Sequence, residues 1–164
     1  LFPYSRERMA AFVKANPTLP VVQNLQSEFG SIDRVVETLL GWIAADKKEG
    51  RLKELQGLIW DEGYRKRDFK GHVYPDVKPA FERWKREGKT LAIYSSGSVH
   101  AQRCIFGFST AGDLTPLISA YFDTAVGGKR EHTSYREIAK RLGALPQEVT
   151  FFSDIKEELD AARD

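Results

Sequence analysis

Three polar clusters in the C-terminal half carry residue types suited to a phosphate and a divalent cation. In "LAIYSSGSVHAQ", four mostly apolar residues, Leu91 to Tyr94, run directly into Ser95, Ser96, Gly97 and Ser98. A plain turn accounts for the glycine and one serine; two serines ahead of it and one behind read as a cradle for an anion. Serine hydroxyls and the free N–H groups that open a following helix both bind phosphate oxygens. Lys129, after "YFDTAVGG", offers a compact positive charge for the same oxygens. Asp154 closes "EVTFFSD". A single carboxylate suits Mg²⁺, which takes few carboxylates and keeps several waters. Each residue alone has a plainer use: the serines and Asp154 as helix caps, Lys129 as a loop lysine. Their joint order is what points to chemistry.

Something must bring the three to one place. Before Pro75 the chain reads as helix after helix. "SRERMAAFVKAN" has Ser5 as a candidate N-cap, with Pro17 beyond its end. "SIDRVVETLLGWIAADKK" sets Ile32, Val35, Val36, Leu39, Leu40 and Ile43 at helical spacing, and "LKELQGLIWDEGYRKR" repeats the pattern with Leu52, Leu55, Leu58 and Ile59. From Pro75 onward helices alternate with strands expected at "TLAIYSS", "YFDTAVG" and "EVTFFSD". Ser134 and Glu137 of "SYREIAKRLG" have capping-box spacing. Such alternation predicts an α/β fold with a parallel sheet between helical layers. In such sheets ligands bind beyond the carboxyl ends of the strands, where the serines, Lys129 and Asp154 all fall.

The bulk properties narrow the function classes. A net charge of +2 over 164 residues gives no case for nucleic acid or a membrane surface. The basic run "YRKRDFK" reads as a solvated face. The single cysteine, Cys104, fits a small buried apolar role and a reducing, cytoplasmic setting. No apolar run reaches membrane-spanning length. His72, His100 and His132 show no metal-ligand spacing.

Longer words make the pattern specific. "IYSSGSVHAQRCIFG", "YFDTAVGGKRE", "SYREIAKRLG" and "TFFSDIKEELDAAR" resemble consecutive blocks of the acireductone synthases, the bifunctional enolase-phosphatases of methionine salvage. These belong to the haloacid dehalogenase-like phosphohydrolases. "LFPY", "LKELQGLIW" and "GHVYPDV" are similar to that family's cap and hinge. The resemblance implies a Rossmann-like core with an inserted helical cap, the cap over residues 1–72 and the core over 73–164. It implies that Ser95 and Ser96 bind the substrate phosphate, that Lys129 binds it and stabilises charge during catalysis, and that Asp154 binds Mg²⁺. Glu158, four residues on, takes the second acidic position of that motif, supporting the residues around the metal; its plainer reading is a solvated helix residue. The implied partner is a small phosphorylated substrate, with no nucleic acid and no membrane, and a monomer as the default expectation.

The family's remaining motif is a strand ending in Asp-x-Glu-Gly-Thr, whose first aspartate is the nucleophile. It is expected shortly before "LFPY", and the chain given begins at Leu1. That strand is central in the family's sheet. Strands lie about 4.8 Å apart, so without it the strands at Ser95 and Asp154 are expected about 9.6 Å apart, too far to pair. The family's closing strand and helices are expected beyond Asp164. Two other readings follow: a related phosphatase for another small substrate, and an inactive remnant that still binds phosphate or a partner protein.

Overall fold

The structure, a computed structural model, describes residues 2–47 and 49–163. It divides into two units, Leu1–Lys70 and Gly71–Asp164, a boundary two residues before the 72/73 expectation.

Among the described residues, the first unit holds four helices: α1 (Phe2–Ala15), α2 (Pro20–Phe29), α3 (Ile32–Ala44) and α4 (Gly50–Lys66). Their apolar stripes meet in one cluster that includes Met9, Val13, Leu25, Val35, Leu39, Leu55 and Ile59. Burial of each leucine contributes about 1.5–3 kcal/mol relative to leaving it in water. Ser31 caps α3 by accepting from the N–H of Arg34 at 3.4 Å. Gly30, at φ 91°, supplies the positive φ that turns the chain out of α2. Ser5 is not a cap. It lies fully buried inside α1, which begins three residues earlier because Pro3 is compatible with a helix's first turn. The basic run stays a solvated, internally paired face: Arg65 bonds Asp61 at 2.7 Å, Lys66 pairs with Glu62, and Arg8 reaches Asp68 at 3.3 Å.

The second unit runs α5 (Val77–Arg86), β1 (Ala92–Tyr94), α6 (Val99–Gly107), β2 (Ala120–Phe122), α7 (His132–Leu142) and α8 (Lys156–Arg163), with short 3₁₀ turns at Thr115–Leu117 and Pro146–Glu148. β1 and β2 pair in parallel, Ile93 opposite Tyr121, with α6 as the crossover. At the unit's start, Gly71 donates to Phe108 O and its carbonyl accepts from Thr110, both at 2.8 Å. A Cβ there would stand 2.0 Å from Ile105 O, so only glycine fits this approach.

Two local expectations need correction. The third strand does not form: among the described residues, 149–154 join no ladder. The β-favouring side chains are present, but a strand exists only through a neighbour, and the ladder of β1 is with β2. Phe151 instead packs edge-on against Tyr135 at 4.9 Å, and Phe152 stacks on Trp84 at 5.7 Å. Ser134 is not an N-cap either. α7 starts at His132, Ser134 is buried within it, and its hydroxyl donates to the carbonyl of Gly128 at 2.8 Å. Glu137, its supposed partner, bonds Arg141 at 2.7 Å. Among the described residues no helix is long and apolar enough to cross a membrane.

Candidate active site

The site is built where β1 and β2 end. Beyond Tyr94, the N–H of Ser95 donates to Phe122 O at 3.1 Å, carrying the sheet pairing one residue further. The Ser95 hydroxyl accepts from the N–H of Gly97 at 3.1 Å, which folds the chain back toward α6. Ser98 caps that helix by accepting from Ala101 at 3.2 Å. Gln102, buried in α6, donates from Nε2 to Gly97 O and Phe122 O, each at 2.8 Å, and so ties the serine loop to the end of β2. Ser96 is exposed, and its side chain makes no hydrogen bond among the described residues. Its hydroxyl is thus available to a ligand.

After β2, Asp123 accepts from the N–H of Val99 at 3.2 Å and of Ala125 at 3.0 Å, fixing the next loop to the start of α6. Three successive carbonyls of that loop are then held by side-chain hydroxyls. Tyr94 donates to Gly127 O at 2.8 Å, Ser134 to Gly128 O at 2.8 Å and Tyr135 to Lys129 O at 2.6 Å. Gly127 has φ 136°, and a Cβ on it would fall 2.2 Å from the Ser134 hydroxyl. Gly127→Ala is therefore expected to cost about 1–3 kcal/mol through strain and collision. An unchanged urea-unfolding midpoint would contradict this.

The Lys129 ammonium reaches the Glu158 carboxylate, Nζ to Oε2, at 2.6 Å, and the Ser153 hydroxyl donates to the same oxygen at 2.8 Å. Glu158 is only 8% exposed, so the solvated-helix reading fails for it. Burial pushes its carboxyl up; the hydrogen bonds from Lys129 and Ser153 and the charges of Lys129 and Arg130 outweigh that, and the net shift is downward. The carboxylate stays ionised and Lys129 keeps a charged partner.

Ser96, Gly128, Lys129, Arg130, Glu131 and Glu158 line a pocket of about 360 Å³. Of the residues singled out in the sequence, it gathers Ser96, Lys129 and Glu158; Ser95 and Asp154 are not in its lining. Asp154 is exposed and its side chain has no hydrogen bond or ion pair among the described residues. No group of three His, Cys, Asp or Glu donors forms around it there. A free hard-oxygen donor outside a dense ligand cluster fits Mg²⁺, which is held through one or two carboxylates and waters. Sequence reasoning missed Gln102, Asp123, Ser153 and the three hydroxyls on the loop carbonyls. Asp123, directly behind an apolar strand, was the one with a visible signal. The histidines at 72, 100 and 132 are exposed, and Cys104 is buried, with Nε2 of His100 at 3.6 Å from its sulfur.

A family model described as haloacid dehalogenase-like hydrolase matches residues 5–164. The chain is 52% identical to the enolase-phosphatase E1 of Azotobacter vinelandii, over 99% of this chain and 75% of that protein. It is 49% identical to the enolase-phosphatase E1 of Citrobacter koseri, over 100% of this chain and 75% of that one. Among solved structures, the UTR4 protein (unknown transcript 4 protein) of Saccharomyces cerevisiae is similar with a TM-score of 0.82 and 37% identity. That match covers 98% of this chain and 75% of the yeast chain.

Proposed function

The chain belongs to the haloacid dehalogenase-like hydrolases, and within them to the enolase-phosphatases, and from that premise we propose that it serves as an acireductone synthase. The reaction is the Mg²⁺-dependent enolisation and dephosphorylation of 2,3-diketo-5-methylthiopentyl-1-phosphate in cytoplasmic methionine salvage. The observation that carries the reading is the pocket that Ser96, with its free hydroxyl, lines together with the Lys129–Glu158 pair.

In this scheme the Ser96 hydroxyl donates to a phosphate oxygen. Ser95, whose oxygen already accepts from Gly97, still has its O–H proton to give to another. Lys129 offsets charge on the phosphoryl group, where it is worth most as charge redistributes in the transition state. Glu158, held by Ser153, takes a hydrogen bond from the ammonium and limits its rotation. Asp154 would hold the Mg²⁺, which when bound supplies further positive charge to the phosphoryl oxygens. The four-helix unit is the part of the chain that corresponds to the family's cap.

A carboxylate must receive the phosphoryl group. Asp123 follows β2, but its two oxygens are engaged by Val99 and Ala125, and Asp154 is assigned to metal. We therefore read residues 1–164 by themselves as lacking the nucleophile.

The test is the full-length protein given the diketo phosphate and Mg²⁺. Expected are inorganic phosphate and the enolised product, both lost with a chelator. Phosphate release without enolisation would move the assignment to a related small-molecule phosphatase, and release indifferent to chelator would overturn it. Asp154→Asn replaces an anionic ligand with a neutral amide, so Mg²⁺ affinity is expected to fall about tenfold or more. Equal affinity by metal titration would remove Asp154 from the metal site.

A further inference from the structure

We propose that Tyr135, with Tyr94 and Ser134, positions Lys129 for catalysis by holding the successive carbonyls of Gly127, Gly128 and Lys129. The proposal rests on the phosphatase reading of Lys129 given above. A lysine side chain has four rotatable bonds, and the reach of its ammonium is only as well defined as the backbone it springs from. Here that backbone is tied at every carbonyl, from two elements. Tyr94 lies on β1, and Ser134 and Tyr135 lie on α7. The shortest of the three bonds, 2.6 Å, falls on the carbonyl of Lys129 itself. The other end of the side chain is tied as well, by Glu158 at 2.6 Å. Lys129 is thereby fixed at backbone and tip.

The clamp also sorts the polar groups of the loop. A carbonyl oxygen facing a phosphate would repel it. The three oxygens are instead taken up by hydroxyls, one of them on the buried Ser134. Each member is itself held. The Tyr94 and Tyr135 rings meet edge to face at 5.6 Å, and Tyr135 packs on Phe151 at 4.9 Å. The phenols remain donors: burial first, then the Glu158 charge and Tyr94, push the Tyr135 hydroxyl up to about 12. Burial likewise raises that of Tyr94.

Tyr135→Phe removes one hydroxyl and keeps the ring contacts that fold the region. In the full-length enzyme kcat is expected to fall about tenfold or more, with KM changed less than about threefold, because misplacement of Lys129 is felt most in the transition state. The same substitution placed in Lys129→Ala should bring no further loss, since the group it positions is gone. Binding of inorganic phosphate in the presence of Mg²⁺, read by calorimetry without turnover, gives a parallel comparison. Affinity should fall by no more than about threefold on Tyr135→Phe with Lys129 present, in step with KM, and stay level without it. Equal fold-losses of kcat in both backgrounds would mean Tyr135 acts on the general fold, and no loss of kcat in either would mean the hydroxyl is idle; each overturns the proposal. Full turnover in Lys129→Ala would instead overturn the reading of Lys129, and the proposal with it.

Discussion

Lys129→Ala is expected to lower kcat of the full-length enzyme by about 10²–10³-fold, the loss typical when one preorganised donor is taken from developing charge. That corresponds to about 2.7–4 kcal/mol in the barrier. The folded state also loses something, because Glu158 is buried and its ammonium partner lies 2.6 Å away. Only the Ser153 hydroxyl then remains on that oxygen. A buried acceptor deprived of a partner costs about 1–3 kcal/mol, so the chemical effect is the larger. The pH dependence separates the two. In the parent protein the Glu158 carboxyl is held below its ordinary value of 4.5. Its contribution to stability is therefore present above that value and lost as pH falls through the folded one. In the variant the hydrogen bond and charge of Lys129 no longer oppose burial, so the folded value rises. The stability gap between the two proteins should be widest near neutrality and narrow below about pH 4.5. Melting temperatures at pH 7 and pH 4 read that gap, and kcat reads the chemistry. A variant that loses stability yet keeps full turnover would make Lys129 a structural residue.

How far the fold was legible depended on whether a signal was local. The α3 stripe needs only its own residues to be read, and Val35, Val36 and Leu39 are buried. The first two expected strands form because each finds the other across one helical crossover. The segment "EVTFFSD" carries the same propensities and forms no strand, since pairing belongs to two segments and not to one. Ser5 and Ser134 misled for a related reason: a hydroxyl that can cap a helix can also sit inside one when a partner or a tight core receives it. Ser134 finds Gly128 O, six residues back, and spacing alone cannot distinguish the two uses.

The site divides along the same line. Ser96 and Lys129 were visible through residue type and position at strand ends, and the pocket gathers them with Glu158. The two serines looked equivalent in the sequence. Their difference arises from the turn, in which the N–H of Gly97 takes the Ser95 oxygen and Ser96 is left facing out. The grip on the loop carbonyls was invisible, because a carbonyl has no signature in sequence. One of its donors, Tyr94, stands 33 residues from its acceptor.

A polypeptide made of residues 1–164 and nothing else is expected to release no phosphate above background and to self-associate. The chemical half of the expectation follows from the carboxylates near the site. Asp123 is engaged at both oxygens by backbone N–H groups, which lowers its nucleophilicity and holds it against α6. Asp154 is the carboxylate proposed to hold the metal, and Glu158 is buried against Lys129. The physical half follows from the sheet. Residues 149–154 find no ladder, and apolar side chains stand in water in and just before this stretch: Phe152 is 72% exposed, Leu145 58% and Val149 39%. Covering those side chains by collapse would also shut unpaired backbone groups away from water, at about 1–3 kcal/mol each. Four or five such groups, roughly the number in a short strand, rival the 5–15 kcal/mol stability of a whole domain. Covering them by association with another copy is the cheaper course, unless a further segment or subunit takes the place. Size-exclusion chromatography reads the association and a phosphate assay reads the chemistry. Chelator-sensitive phosphate release by this polypeptide, abolished by Asp154→Asn, would place a nucleophile among these residues. Asp123→Asn would then decide whether it is the carboxylate at the end of β2.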